Sequence, residues 1–130
     1  MRGLIVEASP VLRLLLVRAF RAAGFESPVH AAGLPDALRQ LRGPVDFIIT
    51  DGNTSHRDGL ALVSQLRSSP EAALIPIVMI TAQRLRHQQL EALVAGADAC
   101  VVKPFTPENL SRAVAAAVST HRHCVPILAQ

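Results

Sequence analysis

Short apolar runs alternate with helix-patterned stretches five times along the chain. Leu4-Ile5-Val6 reads as a buried strand, and Ser9-Pro10 then supplies an N-cap and a first-turn proline for a helix to about Ala23, stopped by Gly24. PVHAA (28–32) is a weaker strand, LPDALRQL (34–41) a short helix closed by Gly43-Pro44, and VDFIIT (45–50) a strong strand. A polar loop, DGNTSHRDG (51–59), leads into a helix over GLALVSQLR (59–67) that ends near Pro70. IPIVMIT (75–81) is the clearest strand, and RLRHQQLEALVAG carries Leu85, Gln89, Leu93 and Leu90, Val94 at helical spacing before Gly96. ACVV (99–102) is a last strand, and PENLSRAVAAAVST (107–120) a last helix with its stripe on Leu110, Ala113, Val114, Ala117 and Val118. Continuous apolar strands between amphipathic helices imply a parallel sheet covered on both faces, a (βα)5 α/β fold.

The pattern fills residues 1–120 as one domain and leaves HRHCVPILAQ (121–130) as a tail or linker stub. Half the 130 residues are apolar and 18% are charged, which excludes disorder. Tyr and Trp are absent, so Leu, Val, Ile and Ala must build the core. No stretch approaches the ~20 apolar residues of a membrane span. Glu7 and Pro10 interrupt any signal-peptide core, and the two cysteines lie far apart, so a cytoplasmic protein without disulfides is expected. The net charge of +3 comes from arginines scattered between Arg2 and Arg122. With neither a basic stripe nor stacking aromatics, nucleic acid is not an expected partner. HRHC (121–124) holds three potential metal ligands in four residues, but no matching pair at zinc spacing occurs elsewhere, so a frayed helix end is the better reading.

Parallel sheets bind ligands outside the carboxyl ends of their strands. Glu7 follows the first strand, Asp51 the third, Thr81-Ala82 the fourth and Lys103-Pro104 the fifth. An acid, a second acid, a hydroxyl and an amine on one rim suit the handling of a phosphoryl group. Asp51 can act as nucleophile and form an acyl phosphate, Lys103 can pair with phosphoryl oxygens, and Thr81 can hydrogen-bond one of them. Carboxylates with a backbone carbonyl suit Mg²⁺, which takes hard oxygen ligands and keeps several waters.

DFIITD (46–51), DG (58–59), PIVMITA (76–82) and GADACVVKPF (96–105), with SPVLRLLL opening the first helix, resemble the receiver domains of bacterial two-component response regulators. The resemblance runs from about Leu4 to Ser119. It implies the flavodoxin-like strand order 2-1-3-4-5. It also implies Asp51 as phosphoacceptor, Thr81 as switch hydroxyl, Lys103 as the phosphate-contacting lysine, and Asn53 lending its backbone carbonyl to Mg²⁺. A histidine kinase or phosphotransfer protein would donate the phosphoryl group. A downstream protein would read the face of helix four, strand five and helix five, with a weak homodimer there as a further expectation.

Three departures qualify the resemblance. Receivers carry two adjacent acids after strand one; here Glu7 fills the first place and Ala8 the second, which in the family is the direct metal ligand. Glu7 is left to act through water, and weak Mg²⁺ binding is expected. Cys100 stands where the family has an inward-turning aromatic, and reads as inert packing. Thr54-Ser55 replaces Met-Pro in the loop that Gly59 is expected to end. The chemistry expected is self-phosphorylation and autodephosphorylation rather than turnover. A pseudo-receiver acting as a phosphate-independent interaction module is the first alternative. A haloacid-dehalogenase-type phosphatase is the remote one: TDGNTS (50–55) distantly resembles its DxDxT motif, but Asn53 replaces the second Asp and the motif follows the third strand rather than the first.

Overall fold

The computed structural model describes residues 1–51, 56–82 and 85–123, and their side chains except those of 56, 57 and 120–123. Element order is β1 (Gly3–Val6), α1 (Pro10–Ala22), β2 (Val29–Ala31), α2 (Leu34–Gln40), β3 (Phe47–Asp51), α3 (His56–Arg67), β4 (Ile77–Thr81), α4 (Arg86–Ala95), β5 (Ala99–Val102) and α5 (Pro107–His123). The five strands form one sheet in the order β2-β1-β3-β4-β5, and every pairing is parallel. This is the order that the sequence resemblance implies.

Side chains alternate across the sheet, as the two-residue strand period requires. Leu4, Val6, Ile48, Ile77, Met79 and Cys100 pack with Ala37 of α2, Val63 and Leu66 of α3, and Ala92 of α4. Ile5, Phe47, Ile49, Val78, Ile80 and Val101 pack on the opposite face with Leu16 and Phe20 of α1 and the Leu110, Ala113, Val114, Ala117 stripe of α5. Residues buried on both faces explain why the strands read as unbroken apolar runs. The α5 stripe lies where its periodicity puts it.

Two clusters tie the N-terminal edge of the sheet together. Phe20, Phe25 and Phe47 pack with ring centroids 5.2–5.8 Å apart, Phe20 stacked on Phe47 and Phe25 tilted against both. Gly3 sits beneath them, and a Cβ there would come within 2.6 Å of the Phe20 ring. On the other face Arg67 donates to the carbonyls of Gly96, Ala72, Ala73 and Ile75 and pairs with Asp98 Oδ2 at 2.9 Å. Asp98 Oδ2 also accepts from Ile77 N at 2.8 Å.

The structure corrects the sequence reading in several places. α3 begins at His56, so Gly59 lies inside the helix and does not end the preceding loop. Asp58 in the first turn favours that earlier start by complementing the helix dipole. Leu90 and Val94, 44% and 88% exposed, do not form the buried side of α4, which rests on Ala92. α5 runs three residues past the expected end at 120, to His123. Asp98 is buried against Arg67 and Ala117 is buried in the core, so neither side chain is presented to a dimer partner on the α4–β5–α5 face. Among the described residues no helix is long and apolar enough to cross a membrane.

Candidate functional site

β3 is the central strand, and its last residue is Asp51. The side chain is only 2% exposed, and Oδ1, otherwise without a hydrogen-bond partner, meets Lys103 Nζ at 2.8 Å. Lys103 arrives there because its N–H donates to Thr81 O at 2.8 Å just beyond the β4–β5 ladder, and the Lys103-Pro104 bond is cis. Burial raises the Asp51 pKa, and the hydrogen bond and charge of Lys103 only partly offset it. Thr81, 2% exposed, ends β4 beside β3. The acid and the amine picked from separate strand ends therefore meet, and Thr81 ends the strand that lies between theirs.

Glu7 follows β1 and is nine-tenths buried. Its Oε2 accepts from Ser9 N at 2.9 Å, holding the residue whose hydroxyl caps α1 by accepting from Leu12 N. Its Oε1 is buried without a hydrogen-bond partner. Glu7 is thus half structural and half available, a division its position alone did not disclose. Ala8, exposed beside it, brings no polar atom.

Asp51 forms a wall shared by two cavities of opposite character. On one side lies a cavity of about 120 Å³ lined by Val6, Glu7, Ala8, Asp51, Asp58 and Gly59, among others. On the other lies a cleft of about 450 Å³ in which Asp51 and Lys103 meet Leu12, Leu15, Leu16, Pro104 and Phe105. The first is acidic and has room for several waters; the second is apolar and of small-ligand size. Sequence reasoning missed the second. The available signal was an excess of apolar residues on α1: Val11, Leu14 and Leu15 are 68%, 54% and 53% exposed, more than its core face needs.

Cys100 is fully buried, its Sγ 3.8 Å from Gln89 O, and burial pushes the thiol up to about 12. That is the packing role expected of it. Asn53, Thr54, Ser55, Arg84 and Cys124 lie outside the described residues, as do the side chains of His56, Arg57 and the tail histidines.

A doubly covered parallel sheet in this order, with an acid–amine pair on its carboxyl rim, has the build of a two-component signalling receiver. The chain belongs to the response regulator receiver domain family, matching it over residues 4–115. It is 35% identical over 111 residues to chemotaxis protein CheY-3 of Vibrio cholerae, covering 85% of each chain. It is 32% identical over 123 residues to chemotaxis protein CheY1 of Helicobacter pylori, covering 93% of this chain and 99% of that one. Among solved structures it is similar to Vibrio cholerae chemotaxis protein CheY4, with a TM-score of 0.73 at 28% identity over 89% of this chain and 97% of that chain. The receiver domain of a Pseudomonas aeruginosa sensor histidine kinase, solved with a magnesium ion in its active-site cleft, superposes with a TM-score of 0.72 at 25% identity over 91% and 97% of the two chains.

Proposed function

We propose that this receiver takes part in a cytoplasmic phosphorelay by accepting a phosphoryl group on Asp51 from a histidine kinase or phosphotransfer protein. The observation that carries the reading is the Asp51 carboxylate itself: last on the central strand, 2.8 Å from Lys103 Nζ, and open to a cavity on either side. A phosphoryl group on Asp51 brings oxygens that Lys103 can pair with as a point charge. The Thr81 hydroxyl on the neighbouring strand end supplies a hydrogen bond.

The acidic cavity suits a small hard cation, because the unpartnered Glu7 Oε1 needs either a proton donor or a positive charge. Mg²⁺ would be held by Asp51, by Glu7 through water, and by the backbone carbonyl of Asn53. Bound there, it would neutralise phosphoryl oxygens. The set is thin. Ala8 supplies no carboxylate, and among the described residues no three His, Cys, Asp or Glu side chains are grouped to hold a metal. Weak Mg²⁺ binding and slow phosphorylation follow.

The downstream partner is assigned to the α4–β5–α5 face, where Leu90 and Val94 lie exposed and β5 forms the sheet edge. A homodimer through that face would be weak, since exposed ion pairs contribute roughly 0–1 kcal/mol each. Chemistry is confined to phosphorylation and autodephosphorylation of the chain itself. Intact mass after acetyl phosphate and Mg²⁺ treatment should show one added phosphoryl group, absent in Asp51→Asn; undiminished labelling of that variant refutes the assignment. Ala8 favours a second reading, a phosphate-independent interaction module. That reading gains if the wild-type chain takes up no phosphoryl group yet binds its partner.

A further inference from the structure

Asp51 and Lys103 stand at the polar end of the 450 Å³ cleft, and the rest of its wall is Leu12, Leu15, Leu16, Pro104 and Phe105. A phosphoryl group needs only that polar end. The apolar remainder has no counterpart in the chemistry of a phosphate ion, and cavities of this size accommodate organic ligands. We infer that the cleft receives the apolar leaving group of a small phosphodonor, so that the protein discriminates among acyl phosphates by acyl chain length. The inference rests on Asp51 being the phosphoacceptor and adds, beside the protein donor, the class of small-molecule donor that the cleft favours.

Two features set the donor's orientation. Its phosphoryl group carries negative charge and is drawn to Lys103 Nζ, the cation on the cleft wall. The opposite wall of Asp51 belongs to the acidic cavity with Glu7 and Asp58, which repels a released carboxylate. The apolar cleft is therefore the side that can hold the departing acid. In the transfer, an Asp51 carboxylate oxygen forms a bond to phosphorus while the bond from phosphorus to the acyl oxygen breaks. The electron pair of that bond leaves with the acyl group as a free carboxylate, and no proton is exchanged. Acetyl phosphate presents one methyl group to the leucines. Butyryl and hexanoyl phosphates present chains that can lie along Leu12, Leu15 and Phe105. Each buried methylene is worth up to about fourfold in binding, and about twofold where the cleft stays open to water.

The test is a donor series. Asp51 labelling is followed by intact mass at fixed Mg²⁺ with acetyl, propionyl, butyryl and hexanoyl phosphates, and the half-saturating concentration is read for each. Their leaving groups are of nearly equal basicity, so differences report binding rather than intrinsic reactivity. The half-saturating concentration should fall about two- to fourfold per added methylene as far as butyryl. Leu15→Asn should flatten the series; Leu15 is 53% exposed, so its loss leaves the core packed. Hexanoate, but not acetate, should compete with acetyl phosphate. Equal half-saturation for all four donors, or a gradient that survives Leu15→Asn, overturns the donor preference while leaving Asp51 as acceptor, and returns the cleft to a protein side chain. Failure of every donor to label the chain overturns the acceptor assignment as well.

Discussion

Replacing Ala8 with aspartate tests whether the acidic cavity is weak because it is one carboxylate short. Ala8 is exposed and lines the cavity beside Glu7 and Asp51, so the new side chain meets no packed neighbour that must move. Without metal, like charges at such a solvated position cost about 1 kcal/mol. With Mg²⁺ the third carboxylate completes the ligand set. Second-shell partners alone are worth about 10–100-fold in metal affinity, and a direct ligand should be worth at least tenfold, or about 1.4 kcal/mol. Because metal bound only to the folded state stabilises it, that gain appears in thermal unfolding. At Mg²⁺ concentrations above both dissociation constants, Ala8→Asp should gain about 5 °C more than wild type on adding metal, while melting slightly lower without it. Differential scanning calorimetry across a Mg²⁺ titration gives both numbers, and phosphorylation by acetyl phosphate should accelerate in parallel. If wild type responds to Mg²⁺ as strongly as the variant, Glu7 and Asp51 already hold the ion by themselves. The weak-site reading then fails.

Burial opposes the ionisation of Asp51 more than Lys103 favours it. Its folded pKa is raised, so the stability contributed by its protonated form is present below the unfolded value and is lost as pH rises through the folded one. Asp51→Asn should therefore be more stable than wild type to urea at pH 7, with the difference shrinking on acidification; a less stable variant at pH 7 contradicts this. Arg67→Ala removes a cation bonded to four carbonyls and to Asp98, which is 8% exposed, and should cost about 3 kcal/mol by urea unfolding, with Arg67→Lys recovering less than half. Cys100, fully buried with its thiol pushed up to about 12, should react with a thiol reagent only on unfolding when tested in a Cys124→Ser background.

Much of the fold was legible because a doubly covered parallel sheet writes itself as apolar runs at fixed intervals. Ile77 to Thr81 is buried throughout, and it was the clearest strand in the sequence. The rim was legible for the same reason: once the strand ends are known, Asp51, Thr81 and Lys103 have nowhere else to go. What escaped depended on neighbours rather than on period. Gly59 resembles a loop end by composition, yet it sits in α3, where a small residue leaves room for the acidic cavity. Leu90 and Val94 have helical spacing, but the narrow gap under α4 takes Ala92 instead. Nothing in the sequence around Asp98 marks its partner, and only the fold reveals it as Arg67, 31 positions away. The two roles of Glu7 could not be separated until Ser9 N was seen to occupy one of its oxygens.

The aromatic trio and the Arg67 hub share a consequence for how the molecule comes apart. Both lie at the N-terminal edge of the sheet: the phenylalanines against Gly3, the arginine at Gly96 and beside the first residues of β4 and β5. Asp51, Lys103 and Ala8 lie at the opposite edge. Local opening follows the density of such ties, so amide hydrogens near Gly3, Ile77 and Asp98 should exchange only through global unfolding, and those around the rim through smaller fluctuations. Side chains at the rim can then be exchanged, emptied or charged without drawing on the ties that set the folding equilibrium. An alanine at position 8 is a change that this division of labour tolerates.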